Sequence, residues 1–228
     1  MAHGFFITGT DTGIGKTRFT LTLMNVLKAH GLSVAGMKPV ATGAINKNGR
    51  LINEDARLIS KYCSKPTPYE LINPVVFEPA VAPHIASDLV KQPIGISGIK
   101  SAYVQLAEIN DVIVVEGIGG WRVPLSGDLS QTNLVQELEL PVILVVGLKL
   151  GCINHAILTT EAIQSDGLSI FAWVANEVEK NYLCKNETLD SLTTRINGPM
   201  MANMPYMEIF KPKNNPVEID IMGHINRS

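Results

Sequence analysis

Cysteine is scarce in this 228-residue chain. Cys63, Cys152 and Cys184 stand far apart, with no close pair to form a metal knuckle or a redox dithiol. An odd number cannot complete an intrachain disulfide framework, so a reducing cytoplasm is the expected setting. Charge of one sign is also lacking: 19 Lys and Arg stand against 21 Asp and Glu, a net of −2. No long-range field therefore draws the molecule to nucleic acid or to an anionic membrane, and neither is an expected partner. Long hydrophobic runs are absent too. The most apolar stretch, 141–147, falls far short of the roughly 20 residues that span a bilayer, and the opening MAHGFFITGTDTG meets glycine and aspartate too early for a signal-peptide core. Neither repeats nor low-complexity tracts occur, which excludes a solenoid.

What is present suits one buried core: 46% of the residues are apolar and 18% charged, so residues 1–228 are expected to form a single domain. Short Val- and Ile-rich runs at 4–8, 111–116 and 141–147 end in glycine or polar clusters, as buried parallel strands do. Weaker runs at 33–38 and 169–176 add two more. Between them Phe19, Leu23, Val26 and Leu27, and then Ile99, Ala102, Tyr103, Leu106 and Ala107, recur at helical spacing. Alternating strand and helix predicts an α/β fold, a mainly parallel β-sheet with helices on both faces and ligands at the carboxyl ends of its strands. The proline-rich stretch 64–93 reads as an excursion from that sheet, and the tail from about 211 reads as irregular.

Directly after the first strand comes Gly9-Thr10-Asp11-Thr12-Gly13-Ile14-Gly15-Lys16-Thr17, followed at once by an amphipathic helix. Glycines let backbone N–H groups turn in on a phosphate, and the helix start adds partial positive charge. Lys16 can reach the β- and γ-phosphates, and Thr17 offers a hydroxyl to Mg²⁺. Thr10 stands where the strict P-loop pattern has its first glycine, so this is a variant loop. ATP binding, in a P-loop NTPase fold, is the expectation.

Further polar residues fall at the ends of the other expected strands. Lys38 closes the second, where a second cation would neutralise an anionic acceptor and the transferring phosphoryl group; Thr42 follows it closely. Asp55 opens an expected helix, where a first-turn acid is also simply favoured by the helix dipole. Glu116 ends the apolar Val112-Ile113-Val114-Val115 run. A buried carboxylate there needs a cation or metal, and this is where P-loop enzymes carry their metal-associated acid. Gly117-Ile118-Gly119-Gly120 then lets backbone approach a ligand. The helix expected to start near Gly151 offers free N–H groups for a carboxylate. Its Cys152 and His155, three apart, read as packing and capping residues rather than as a nucleophile and base.

These segments, with Lys38-Pro39-Val40, Glu116-Gly117 through Trp121, 141–147, Lys149 through His155 and Trp173-Val174-Ala175-Asn176, resemble the dethiobiotin synthases over about residues 4–207. The resemblance implies a cyclo-ligase of biotin synthesis. 7,8-Diaminononanoate takes up CO₂ as a carbamate, ATP phosphorylates it, and the second amine displaces phosphate. It further implies Lys16 and Lys38 as catalytic cations, Mg²⁺ held by Thr17, Asp55 and Glu116, and the carbamate contacted by Thr12, Lys38 and Thr42. Nucleotide contacts would come from Gly13, Ile14, Gly15, Lys16, Thr17, Arg18, Asp55, Glu116, Gly117, Ile118, Gly119, Asn176 and Glu177, with Asn176 reading adenine and Pro205, Tyr206 and Met207 flanking it. Gly151, Cys152, Ile153 and Asn154 would hold the substrate's far carboxylate across the interface of a homodimer with shared sites. Gly13 stands where some members carry glutamate, Thr42 where serine is common, and no counterpart of a further nucleotide-contacting acid follows Met207.

Two rival readings remain at this stage. A ParA- or MinD-type ATPase switch shares the expected sheet, but its loop starts with a signature lysine, which 8–10 lacks, and no basic amphipathic helix follows. A cobyrinate-type amidoligase ordinarily carries an additional glutamine-hydrolysing domain, for which this chain has no room.

Overall fold

Side chains on a β-strand alternate between two faces, and the apolar runs of this chain are apolar at both parities, so each strand must be covered on both sides. The structure, a computed structural model, describes residues 2–209 together with Ile219 and Ile221. In chain order the elements are β1 (His3–Gly9), α1 (Lys16–Ala29), β2 (Val34–Met37), β3 (Val40–Ala41), β4 (Ile45–Lys47), β5 (Arg50–Ile52), α2 (Glu54–Tyr62), α3 (Tyr69–Ile72), β6 (Val75–Val76) and α4 (Pro83–Val90). There follow α5 (Ile96–Ala107), β7 (Val112–Glu116), β8 (Pro124–Ser126), β9 (Leu129–Ser130), α6 (Gln131–Leu138), β10 (Val142–Leu148), α7 (Cys152–Ser165), β11 (Ile170–Glu177), α8 (Lys185–Thr193) and β12 (Met200–Met204).

The main sheet has six strands in the order β12-β11-β10-β1-β7-β2, every pairing parallel. All five expected strands form. β12 is the addition, an edge strand whose MMANM sequence carries no Val or Ile and so little strand signal. The alternation splits the core in two. Phe6, Ile113, Val115, Leu144, Val146 and Trp173 pack with Ile99, Ala102 and Leu106 of α5 and Leu134 and Val135 of α6. Phe5, Ile7, Val112, Val114, Ile143 and Val145 pack on the opposite face with Phe19, Leu23, Met24 and Leu27 of α1 and Ile59 of α2.

The excursion expected at 64–93 holds α3, α4 and β6, and β6 pairs with β3 in a separate two-stranded sheet beyond the end of β2. The expectation of an irregular tail from about 211 lies outside the described residues, apart from Ile219 and Ile221, which are buried in the α1-side core.

Candidate active site

The phosphate loop bridges β1 and α1. Gly15, the N-cap of α1, has φ +92°, and a Cβ there would stand 2.2 Å from Nδ2 of Asn176, so backbone conformation and space both require glycine. Lys16, the first residue of α1, is buried, and its ammonium donates to the Asp11 carbonyl at 2.7 Å. Burial, followed by repulsion from Lys38, pushes its pKa down to about 8 against the attraction of Glu116, Asp55 and Asp11. Asp11 is fixed in turn: its carboxylate accepts from Lys149 Nζ at 2.9 Å and from the Thr12 amide at 2.7 Å, bonds that hold its pKa below the usual value.

Strand parity explains where Glu116 points. It shares a face with Val112 and Val114, the α1 side, and at the carboxyl end of β7 that face meets the start of α1. Its Oε1 accepts from Thr17 Oγ1 at 2.8 Å and from Lys38 Nζ at 2.6 Å. β7 separates β2 from β1, and Lys38 reaches the loop's neighbourhood through Glu116. Lys38 Nζ also donates to the Gly117 carbonyl at 2.9 Å and lies 3.5 Å from Asp55 Oδ2. Burial works against this charge, but the two carboxylates outweigh it and raise the Lys38 pKa. Glu116 is fully buried, and its second oxygen, Oε2, has no hydrogen-bond partner. A buried carboxylate oxygen without a partner is costly, and a carboxylate that meets the Thr17 hydroxyl through its other oxygen suits a hard cation such as Mg²⁺, which uses one or two carboxylates and otherwise phosphates and water.

Thr12, Gly13, Gly15, Lys16, Thr17, Lys38, Thr42, Asp55, Glu116, Ile118 and Gly119 line one cavity of about 350 Å³, joined by Ala41 and Asn53. Most of the residues picked out for phosphate, metal and carbamate thus converge. A second group gathers where α1 meets the ends of β11 and β12. Asn176 donates to the Ile14 carbonyl at 2.7 Å, and Arg18 donates to Asn176 Oδ1 at 2.9 Å and to the Pro205 carbonyl at 2.7 Å. Glu177 accepts from the Tyr206 amide at 3.4 Å, while Met207 is half-buried and in none of these contacts. Gly117 stands behind the cavity, its carbonyl turned to Lys38.

Gly151, Cys152 and Ile153 do not join the phosphate cavity. With Leu150, Tyr182 and Leu183 they line a separate one of about 480 Å³. Cys152 is buried, its sulfur 3.6 Å from the Tyr182 hydroxyl, and its amide donates to the Lys149 carbonyl, which makes it a packing residue. Asn154 follows on α7. Sequence reasoning missed three residues. Asn53 caps α2 and holds the Thr42 carbonyl at 3.1 Å; a polar residue just before a helical acid was a readable signal. Lys149 as partner of Asp11, and Gln131, which bonds the segment after Glu116, had no local signature.

A family model described as an AAA domain matches residues 3–214. The ATP-dependent dethiobiotin synthetase of Aeromonas hydrophila is 38% identical over 229 residues, 100% of this chain and 99% of that protein. The one from Xylella fastidiosa strain 9a5c is 43% identical over 221 residues, 96% of each. Among solved structures, a ParA family ATPase from Chlorobium tepidum aligns with a TM-score of 0.55 at 14% identity, over 91% of this chain and 86% of that one. The MinD cell division protein of Aquifex aeolicus aligns at 0.53 and 15%, over 99% and 86%. At such identities these two show the P-loop fold alone. The sequence relatives go further, over nearly the whole length of both chains, and on them this chain belongs to the dethiobiotin synthetase family of ATP-dependent ligases.

Proposed function

We propose that this chain closes the ureido ring of dethiobiotin from 7,8-diaminononanoate, CO₂ and ATP, releasing ADP and phosphate. One amine adds to CO₂ and loses a proton to give a carbamate. A carbamate oxygen attacks the γ-phosphorus as the bond to ADP breaks. The second amine then attacks the carbonyl carbon, a C–N bond forms, and phosphate leaves as the amine gives up a proton. The observation that carries this reading is the convergence of Lys16 and Lys38 with Glu116 in one cavity. A carbamate and a γ-phosphate repel each other, and two fixed cations offset that repulsion where the charges must meet.

Each lysine holds an acceptor that a reactant would replace. Lys16 lets go of the Asp11 carbonyl to meet the phosphates. Lys38 keeps Glu116 and Gly117 and exchanges its longest contact, Asp55 at 3.5 Å, for a carbamate oxygen. Thr12 and Thr42, in the wall of the same cavity, would bond that group's other oxygen. Thr17, Asp55 and Glu116 would hold Mg²⁺, which would supply neutralisation of phosphate charge. Asn176 spends one N–H and one lone pair on Ile14 and Arg18, which leaves one of each for adenine; Glu177, Pro205, Tyr206 and Met207 frame the base.

Gly151 to Asn154 lie apart from the phosphate cavity of their own chain, which supports a homodimer in which this segment of the partner receives the carboxylate of the diamine. We further read residues 1–228 as one working domain, since both cores are faces of one sheet. No helix among the described residues is long and apolar enough to cross a membrane; the cytoplasmic reading rests on the sparse, widely spaced cysteines. The test is phosphate release from MgATP with bicarbonate and 7,8-diaminononanoate, omitting each in turn. Release that ignores the diamine would refute the reading and return the chain to the nucleotide-switch class.

A further inference from the structure

The segment 117–122 has no regular structure of its own, yet it forms one wall of the phosphate cavity, so its position has to be imposed from outside. Its first part is bonded by Gln131, the first residue of α6 and only 2% exposed. Its Oε1 accepts from the Ile118 amide at 2.8 Å and its Nε2 donates to the Gly120 carbonyl at 2.7 Å. One side-chain amide thus satisfies a donor and an acceptor two residues apart. Flipping it would set oxygen against oxygen and N–H against N–H, so its orientation is fixed. The fit is close: a Cβ on Gly117 would stand 2.6 Å from Gln131 Oε1. Gln131 opens α6, whose Ser130 and Asn133 form a capping box, but it is held at its own backbone, where its N–H donates to the Val123 carbonyl at 2.9 Å.

Both ends of the bonded segment bear on the chemistry. Gly117 presents its carbonyl to Lys38 Nζ. Ile118 and Gly119 face the cavity, and Gly120 lies so close to the phosphate loop that a Cβ there would be 3.5 Å from the Gly9 carbonyl. We infer that Gln131 is a positioning residue: it sets the Gly117–Gly120 wall against the phosphate loop and, through the Gly117 carbonyl, holds the Lys38 ammonium in register for transfer. This inference rests on the proposed function for its catalytic consequence, but its structural part does not.

Gln131→Met keeps the length of the side chain and removes both bonds. Asn133→Ala is the matched control, since it breaks the capping box of the same helix without touching segment 117–120. Two lost hydrogen bonds correspond to about a tenfold change or more, so Gln131→Met is expected to lower kcat about tenfold at saturating substrates. Its Kd for MgATP should change less than kcat, because the phosphate loop itself keeps its own bonds. Hydrogen exchange measured by mass spectrometry on peptides covering 117–121 should speed up about tenfold. Asn133→Ala should lower Tm comparably and change neither kcat nor that exchange. If Gln131→Met is recovered only unfolded, Gln131→Glu, which keeps the acceptor for Ile118 and loses the donor to Gly120, takes its place. A kcat that merely follows the loss of Tm in both variants, or segment exchange unchanged from wild type, overturns the inference. A wild-type protein without diamine-dependent phosphate release would sink the functional reading, while the exchange comparison would still decide whether Gln131 positions the wall.

Discussion

Replacing Lys38 by Met should damage stability and catalysis by different amounts, and the structure says why. In the wild type the Lys38 ammonium stands 2.6 Å from a fully buried Glu116 and 3.5 Å from Asp55. Methionine fills the same space and leaves Glu116 with the Thr17 hydroxyl as its remaining partner, at 2.8 Å. Removing one member of a buried pair costs about 3–5 kcal/mol. For a chain of this length that amounts to a fall in Tm of roughly 6–20 °C, survivable within a stability of about 5–15 kcal/mol. Turnover should fall further, on the order of 10³-fold, because the cation facing the developing charge is gone. Thermal unfolding gives the first number, and single-turnover phosphate release well below Tm gives the second. Adding Glu116→Gln on top should recover most of the stability and none of the turnover, since the pair is then neutral but the cation is still missing. Mg²⁺ should raise the Tm of Lys38→Met more than that of the wild type, because Glu116 is left without its lysine. Turnover of Lys38→Met within about threefold of wild type, or a stability loss under about 1 kcal/mol, would refute the charge argument.

Three further outcomes are expected. The Lys16 pKa of about 8 lies below the ordinary 10.5. Between these values the unfolded chain binds the proton that the folded one has lost, so Lys16 contributes rising stability from about pH 8 to 10.5, about 3 kcal/mol in all. For binding the sign reverses: ATP takes the protonated lysine, so MgATP affinity should be flat below pH 8 and fall above it, and calorimetry that finds Lys16→Met with the same profile would remove Lys16 as the cause. Glu116→Gln should raise the Mg²⁺ concentration needed for half-maximal activity, and an unchanged titration would make the carboxylate purely structural. Asn154→Asp should weaken diamine binding while sparing ATP; mixed with Lys38→Met subunits it should regain activity through one intact shared site per heterodimer. No recovery after verified subunit exchange, or a monomer in sedimentation, would count against the dimer.

The sequence by itself determined the strands that are apolar at both parities, the glycine-rich turn before Lys16, and the residue types at strand ends. Such features depend on spacings of a few residues, and the physics behind them is local: left-handed backbone at Gly15, helical periodicity in α1 and α5, burial on both faces of β7 and β10. Even the face taken by Glu116 follows from its parity with Val114. What only the tertiary structure decided is which of these groups touch. Strand order is set by crossovers between distant segments, and it put β7 between β1 and β2, making Glu116 the bridge between Thr17 and Lys38. The pairs Asp11–Lys149 and Arg18–Asn176 join residues 138 and 158 positions apart, and Gln131 reaches back 13 residues to Ile118. A polar side chain of this kind looks like any solvated residue in the sequence, because its partner is chosen by how the helices pack on the sheet and by the exclusion of water from the space between them.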